Sequence, residues 1–277
     1  MGFELFAGYL MLTMQASERL YDHIGAGYNS TRQADHYLTE RLCRLLSPGT
    51  CGPFIDIGCG TGNYTIALAE KAFKFYGVEP SEKMLAIARS RNGKINWLKG
   101  TAEDMPVETE CFDGGIATLT IHHWTDLHKA FMEIHRVLMP GARLVIFTAT
   151  PQQMHGYWLN HYFPKMLSDS IKQMPSFETV SDAAMEAGFR VAGTEKYFIQ
   201  DDLQDHFLYA GKNRPELYFD EQIRAGISSF SALSNAGEVQ SGLVGLHHDM
   251  EFNRFERIKS GYENDHGDYL FITLQKC

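Results

Sequence analysis

Residues 54–65 read FIDIGCGTGNYT, an apolar run that passes straight into a turn holding Gly58, Gly60 and Gly62. A strand, a glycine-rich turn and a helix in that order restrict the possible folds sharply. Glycine admits positive φ and lets a ligand lie against bare backbone. The rest of the first half keeps the same rhythm. Strand signals at 53–57, 73–78, 95–98, 112–119 and 142–148 alternate with helical patterns at 63–72, from Ser81 onward, and at 126–138. Ser81 is placed to cap its helix, with Met84, Leu85, Ile87 and Ala88 on the apolar side. An earlier helical pattern runs from Arg32 to Leu46 and ends at Ser47-Pro48-Gly49. Such alternation predicts an α/β fold, a Rossmann-like doubly wound sheet with helices on both faces. Ligands of such sheets bind outside the carboxyl ends of the strands, where the glycine turn falls.

The second half reads differently. A helix at 177–187, a strand at 189–199 and a final strand at 268–275 continue the core, while 151–175 and 200–262 are aromatic-rich and lack clean strand signals. These two stretches are expected to be helical insertions roofing the carboxyl edge of the sheet. Within them Tyr157, Trp158, Tyr162, Phe163, Phe207 and Tyr209 could wall an apolar pocket, as could Tyr218, Phe219 and Phe230, or they could be core. The expected organisation is one structural domain in three parts. An N-terminal helical segment spans 1–48, a ligand-binding core 49–150, and the lid insertion, remaining core strands and helical cap 151–277.

The chain of 277 residues carries a formal charge of −9 and no dense Lys/Arg block, which argues against a nucleic-acid partner. Its five cysteines are odd in number and form no CxxC pair, so neither a disulfide framework nor a thiolate zinc site is expected, and a reducing cytoplasm fits best. Residues 1–15 are apolar but lack the Lys or Arg that opens a signal peptide, and are too short to span a bilayer. Phe6 stands where myristoylation wants Ser or Thr. The segment reads as a packed helix or as a start placed upstream of Met11 or Met14.

The glycine spacing is G-x-G-x-G, with Asn63 where the dinucleotide fingerprint wants its third glycine. Glu79, at the end of the second strand, can accept both hydroxyls of a ribose and would repel a 2′-phosphate. Over roughly residues 50–150 the sequence resembles the class I S-adenosylmethionine-dependent methyltransferases. The resemblance is carried in order by Ile55 to Gly62, by Gly77-Val78-Glu79-Pro80-Ser81 through Met84-Leu85, and by Gly100-Thr101-Ala102-Glu103-Asp104-Met105-Pro106. Phe112-Asp113 through Leu119-Thr120-Ile121-His122-His123-Trp124 and Arg136 through Leu144 complete it. It implies a seven-stranded sheet with an antiparallel last strand, and S-adenosylmethionine as cofactor.

On that resemblance Gly58, Cys59, Gly60 and Gly62 would lie along the methionine part of the cofactor. Asp56 would orient its ammonium, directly or through water, or else cap the turn's own amides. Glu79 and Pro80 would meet the ribose, and Met84 would cover the adenine. Thr101, Ala102 and Glu103 would face the adenine edge, unless Glu103 and Asp104 merely cap a helix. Leu119 ends the fourth strand beside the methyl. Tyr28 and Arg32, with Tyr21, belong to a segment that folds over the cofactor in relatives with a similar opening, where an Arg can meet the cofactor carboxylate. His122 and His123 are the candidate general bases, neutral imidazoles able to take a proton from the acceptor. No metal is expected, since His122, His123 and His128 are irregularly spaced and His247-His248 stands alone. The Asn/Asp-Pro-Pro-Tyr/Phe sequence needed for methylating nucleobase amines is absent, with Thr120-Ile121-His122-His123 in its place. The expected acceptor is a small, partly apolar metabolite methylated on O, N or C. Two rivals remain: an S-adenosylmethionine- or S-adenosylhomocysteine-binding protein without transfer activity, and an NAD-linked oxidoreductase.

Overall fold

The computed structural model describes residues 31–46, 49, 52–71 and 73–277. Tyr21, Tyr28 and the reading of residues 1–15 lie outside them. Seven strands form one sheet: β1 (Phe54–Ile57), β2 (Phe75–Glu79), β3 (Asn96–Lys99), β4 (Phe112–Thr118), β5 (Leu138–Thr148), β6 (Phe189–Tyr197) and β7 (Tyr269–Lys276). Their order is β3-β2-β1-β4-β5-β7-β6. The first five strands pair in parallel, and β7 runs antiparallel to both β5 and β6. The antiparallel last strand is therefore present as the resemblance implied.

Helices α1 (His36–Leu46), α2 (Asn63–Ala69), α3 (Glu82–Arg91) and α4 (Leu127–Val137) belong to the first half. Helix α1 starts four residues later than the apolar pattern, because the Asp35 carboxylate accepts from the Leu38 amide and fixes the start there. Ser81 caps α3 by accepting from the Met84 amide at 3.3 Å. Strand β5 begins at Leu138, earlier than its sequence signal at 142. Pro140 and Gly141 are tolerated in its exposed opening stretch.

Alternate residues of each strand feed opposite faces of the sheet. Phe54, Val145, Phe147 and Phe271 pack on one face with Leu38 and Leu42 of α1, while Ile55, Leu144, Ile146 and Ile272 pack on the other with Phe131 and Ile134 of α4. The first face continues without a break into the second half. There α5 (Pro151–His155), α6 (Leu159–Tyr162), α7 (Pro164–Gln173), α8 (Phe177–Glu186), α9 (Glu221–Ala225), α10 (Ala236–Glu251) and α11 (Phe255–Ser260) follow. Most of the cap aromatics are structural: Trp158, Tyr209, Tyr218 and Phe163 are fully buried, and Trp158 meets Tyr162, Tyr218 and Phe255 edge to face. Phe219 faces solvent instead. Of the aromatics proposed as pocket wall, Tyr157 and Phe207 are the two that reach the cavity described below. A single helical turn of wide pitch at Ser229–Leu233 also borders it.

Candidate functional site

Strand order reverses between β1 and its neighbours β2 and β4, and ligand sites of such sheets lie at that point. A cavity of about 580 Å³ opens there. The glycine turn forms its floor. Gly58, Gly60 and Gly62 have φ of 71°, 56° and 80°, which explains glycine at all three. The turn is held by Gly58 and Cys59 amides donating to Val78 O at 2.8 and 3.0 Å. The three glycines nevertheless do different work. A Cβ on Gly58 would meet Thr120 Oγ1 at 2.1 Å, and one on Gly62 would meet the Trp97 ring at 2.4 Å. At Gly60 a Cβ would meet nothing within 4 Å. Gly60 borders the cavity, so its missing side chain leaves room for a ligand, whereas Gly62 serves packing and does not line it.

The carboxylate of Glu79 bridges the end of β2 to the turn. Oε2 accepts from the Gly60 amide and Oε1 from the Ser81 amide, each at 3.0 Å. Each oxygen keeps a further lone pair for a ligand hydroxyl. Burial pushes the Glu79 pKa up, against the pull of those two amides. Asp56 lies deeper and accepts from Thr65 Oγ1 at 2.6 Å, a hydroxyl rather than one of the turn's amides. Burial raises its pKa to about 7, opposed by the Thr65 bond and reinforced by the charge of Glu79. The Cys59 thiol is likewise pushed up by burial and by the charges of Asp56 and Glu79, which makes it unreactive.

Pro80, Met84, Thr101, Ala102, Glu103 and Leu119 all border the cavity, as do Arg32, Asp56, Gly58 and Cys59. Residues 101–104 form a tight turn through reciprocal amide bonds between Thr101 and Asp104. Glu103 reaches away from that turn: Oε1 accepts from the Thr125 amide at 2.7 Å and the Asp126 amide at 3.3 Å. Its capping role is thus toward α4, not toward a helix of its own segment.

The loop after β4 also lines the cavity, with Thr120 packed against Gly58. Leu119 adopts φ 54°, a left-handed conformation costly for a non-glycine residue, which redirects the chain as it leaves the strand. His123 then donates its amide to Thr120 O at 2.8 Å. The His122 and His123 rings lie 3.9 Å apart between centroids, tilted by 44°, and both border the cavity. Burial drives both imidazoles toward the neutral form, His122 far below its ordinary pKa and His123 down to about 4. Among the described residues Nδ1 of His122, Oγ1 of Thr118 and Nε1 of Trp124 are buried with no partner. All three residues line the cavity. No group of three His, Cys, Asp or Glu side chains among the described residues could hold a metal.

Sequence reading missed Tyr64 and Asp205, and the buried pair Ser170 and Ser229, whose hydroxyls lie 2.8 Å apart at the cavity wall. It also missed Arg91, which donates to Thr61 O at 2.8 Å and to Asn63 Oδ1 at 2.6 Å and so braces the glycine turn from outside. The Asn63 side-chain Nδ2 in turn donates to Arg32 O at 3.0 Å, giving the residue in the third-glycine position a structural job.

Residues 55–146 match the model of the methyltransferase domain family. A demethylmenaquinone methyltransferase of Chlorobaculum tepidum is 28% identical over 158 residues, covering 50% of this chain and 65% of the relative. An O-methyltransferase of Penicillium expansum is 32% identical over 138 residues, covering 46% of this chain and 50% of the relative. This chain therefore spans less than two thirds of either relative. A solved structure from Anabaena variabilis, assigned as a methyltransferase of an antibiotic biosynthesis pathway, superposes with a TM-score of 0.79 at 32% identity. That likeness covers 89% of this chain and 99% of the other.

Proposed function

The chain belongs to the S-adenosylmethionine-dependent methyltransferases, and from that premise we propose that it moves a methyl group to O, N or C of a small, partly apolar metabolite. One observation carries the reading. A single cavity is lined by Gly58, Gly60 and Glu79 and by the neutral His122–His123 pair, under a largely apolar cap. The residues present fit the cofactor: the space above Gly60 is open, and Glu79 presents two oxygens to a ribose.

S-adenosylmethionine supplies a sulfonium methyl that is already activated for displacement. What remains for the protein is alignment, which can contribute roughly 7–11 kcal/mol. Asp56 would face the ammonium, Glu79 the ribose, and Met84, Thr101 and Ala102 the adenine. Glu103 borders that end with one oxygen engaged by the start of α4. His122 and His123, kept neutral, offer ring nitrogens to receive a proton from an acceptor hydroxyl, amine or acidic carbon. Burial makes them weak bases, which puts the contribution at the low end of about 10²–10⁴-fold where the acceptor must lose one. The acceptor wall, including Met154, Tyr157, Phe207, Leu208 and Leu233, favours an uncharged or weakly polar molecule. The acidic balance supports a small acceptor over nucleic acid. The four described cysteines are free thiols, which supports a reducing, cytoplasmic setting. Among the described residues no helix is long and apolar enough to cross a membrane.

The test is transfer of labelled methyl from S-adenosylmethionine into a metabolite extract, with the product identified by mass spectrometry. With that acceptor in hand, His122→Ala or His123→Ala should lower kcat by about tenfold or more. The pH profile offers a second check. Because burial holds both imidazoles neutral, kcat at saturating cofactor should stay level as pH falls through 6.5. An acid limb centred at 6.5 that persists in Asp56→Asn, or full turnover in both histidine variants, would rule out a buried histidine base.

A further inference from the structure

Arg32, Tyr64 and Asp205 come from three distant parts of the chain and meet at one edge of the cavity, which all three line. Arg32 precedes α1, Tyr64 lies in the first turn of α2 directly behind the glycine loop, and Asp205 belongs to the cap. The Arg32 guanidinium engages Asp205 through its Nε edge, with Nε to Oδ1 at 2.5 Å and Nη2 to Oδ2 at 3.4 Å. Tyr64 Oη donates to the same Oδ2 at 3.0 Å. Asp205 is 1% exposed, and Arg32 and Tyr64 both donate to its buried carboxyl group.

The cap loop that carries Asp205 is itself fixed. Asp268, at the threshold of β7, accepts from the Ile199 amide at 2.8 Å and from Lys212 Nζ at 2.7 Å, pinning both ends of residues 199–212. Two hydrogen bonds from backbone amides tie the middle of that loop to the Arg32 segment. The His206 amide donates to Thr31 O at 3.1 Å, and the Gln204 amide donates to the Asp35 carboxylate at 3.2 Å. Phe207 and Leu208, next along the same loop, form part of the acceptor wall.

A guanidinium is planar, so bidentate capture of one edge sets the direction of the whole group. We propose that Asp205, steadied by Tyr64, is a positioning residue that aims Arg32 at the carboxylate of the cofactor's methionine part and joins that end of the site to the acceptor wall. The proposal rests on the cofactor reading above and goes beyond it in assigning Asp205 and Tyr64. Burial keeps the Tyr64 hydroxyl protonated and therefore a donor.

The test compares two probes by calorimetry: S-adenosylhomocysteine, which carries the carboxylate, and 5′-methylthioadenosine, which lacks the whole amino-acid part. Asp205→Asn should weaken S-adenosylhomocysteine by about tenfold and leave 5′-methylthioadenosine within about twofold, the signature of a charge-assisted contact. Tyr64→Phe should act in the same direction by a smaller factor. Asp205→Asn added to Arg32→Gln should cost S-adenosylhomocysteine nothing further, since the two residues act on one contact. Equal weakening of both probes, or no change in S-adenosylhomocysteine binding, would overturn the assignment while leaving the cofactor site standing. If Asp205→Asn does not fold, Tyr64→Phe decides: loss confined to S-adenosylhomocysteine supports the proposal, and unchanged discrimination overturns it. Failure of the wild type to bind either probe would overturn the cofactor reading and this proposal with it.

Discussion

Asp56→Asn should make the ligand-free protein more stable at pH 8 and a weaker binder of S-adenosylmethionine. Asp56 is 2% exposed, and its pKa stands near 7 against an ordinary 3.8. A carboxyl group whose pKa is raised in the folded state favours folding while it is protonated. That contribution is complete below about 3.8 and is lost as pH rises through about 7. A rise of that size corresponds to roughly 4 kcal/mol once the group is ionised. Asparagine removes the charge and still offers an oxygen to the Thr65 hydroxyl. The variant should therefore gain roughly 2–4 kcal/mol over wild type at pH 8, seen as a melting temperature higher by about 5–10 °C. The gain should vanish at pH 4. Binding should move the other way, by about tenfold to a hundredfold, because the cofactor ammonium loses a charged partner. Lower stability at pH 8, or unchanged affinity, would contradict the role given to Asp56.

Two alanine substitutions in the glycine turn should separate folding from binding. In Gly58→Ala the new methyl would fall 2.1 Å from Thr120 Oγ1 and 2.9 Å from Thr120 Cβ, at a φ of 71°. Thr120 is buried and begins the loop that carries both histidines, so the clash has nowhere cheap to go. A loss of about 2–4 kcal/mol in thermal or denaturant unfolding is expected. In Gly60→Ala nothing lies within 4 Å of the new methyl, and the cost should be only the left-handed backbone strain, about 1–2 kcal/mol. The Gly60 methyl would instead occupy ligand space, so cofactor affinity should fall by about a hundredfold or more with the fold intact. Equal effects of the two substitutions on unfolding would mean that Gly60 is as tightly packed as Gly58.

The two halves of the molecule differ in how openly the sequence reports them. Apolar strands, the Ser81 cap and the glycine spacing are local signals, and each corresponds to an observed element. Glu79 was readable because the end of the second strand is a fixed place relative to the turn. Gly62 shows the limit of local reading, since its glycine is demanded by Trp97, a neighbour brought close only by the pairing of β3 with β2. The cap was harder. A Tyr or Phe in an insertion looks the same whether it faces a ligand or the core, and here the core took Trp158, Tyr209 and Tyr218. Arg32 and Asp205 stand 173 residues apart, a separation at which no periodicity or motif can signal a contact. Glu103 turned toward Thr125 and Asp126 for the same reason: its partners are set by tertiary packing rather than by neighbours in sequence.

The central claim is that the cavity at the β1–β4 junction is an S-adenosylmethionine site with Glu79 on the ribose. The most direct measurement is calorimetric titration of the wild type and Glu79→Ala with S-adenosylmethionine. The wild type should bind one cofactor per chain, and Glu79→Ala should bind about a hundredfold more weakly, as expected for two hydroxyl bonds to a charged acceptor. No binding by the wild type, or equal affinity in the variant, would contradict the account.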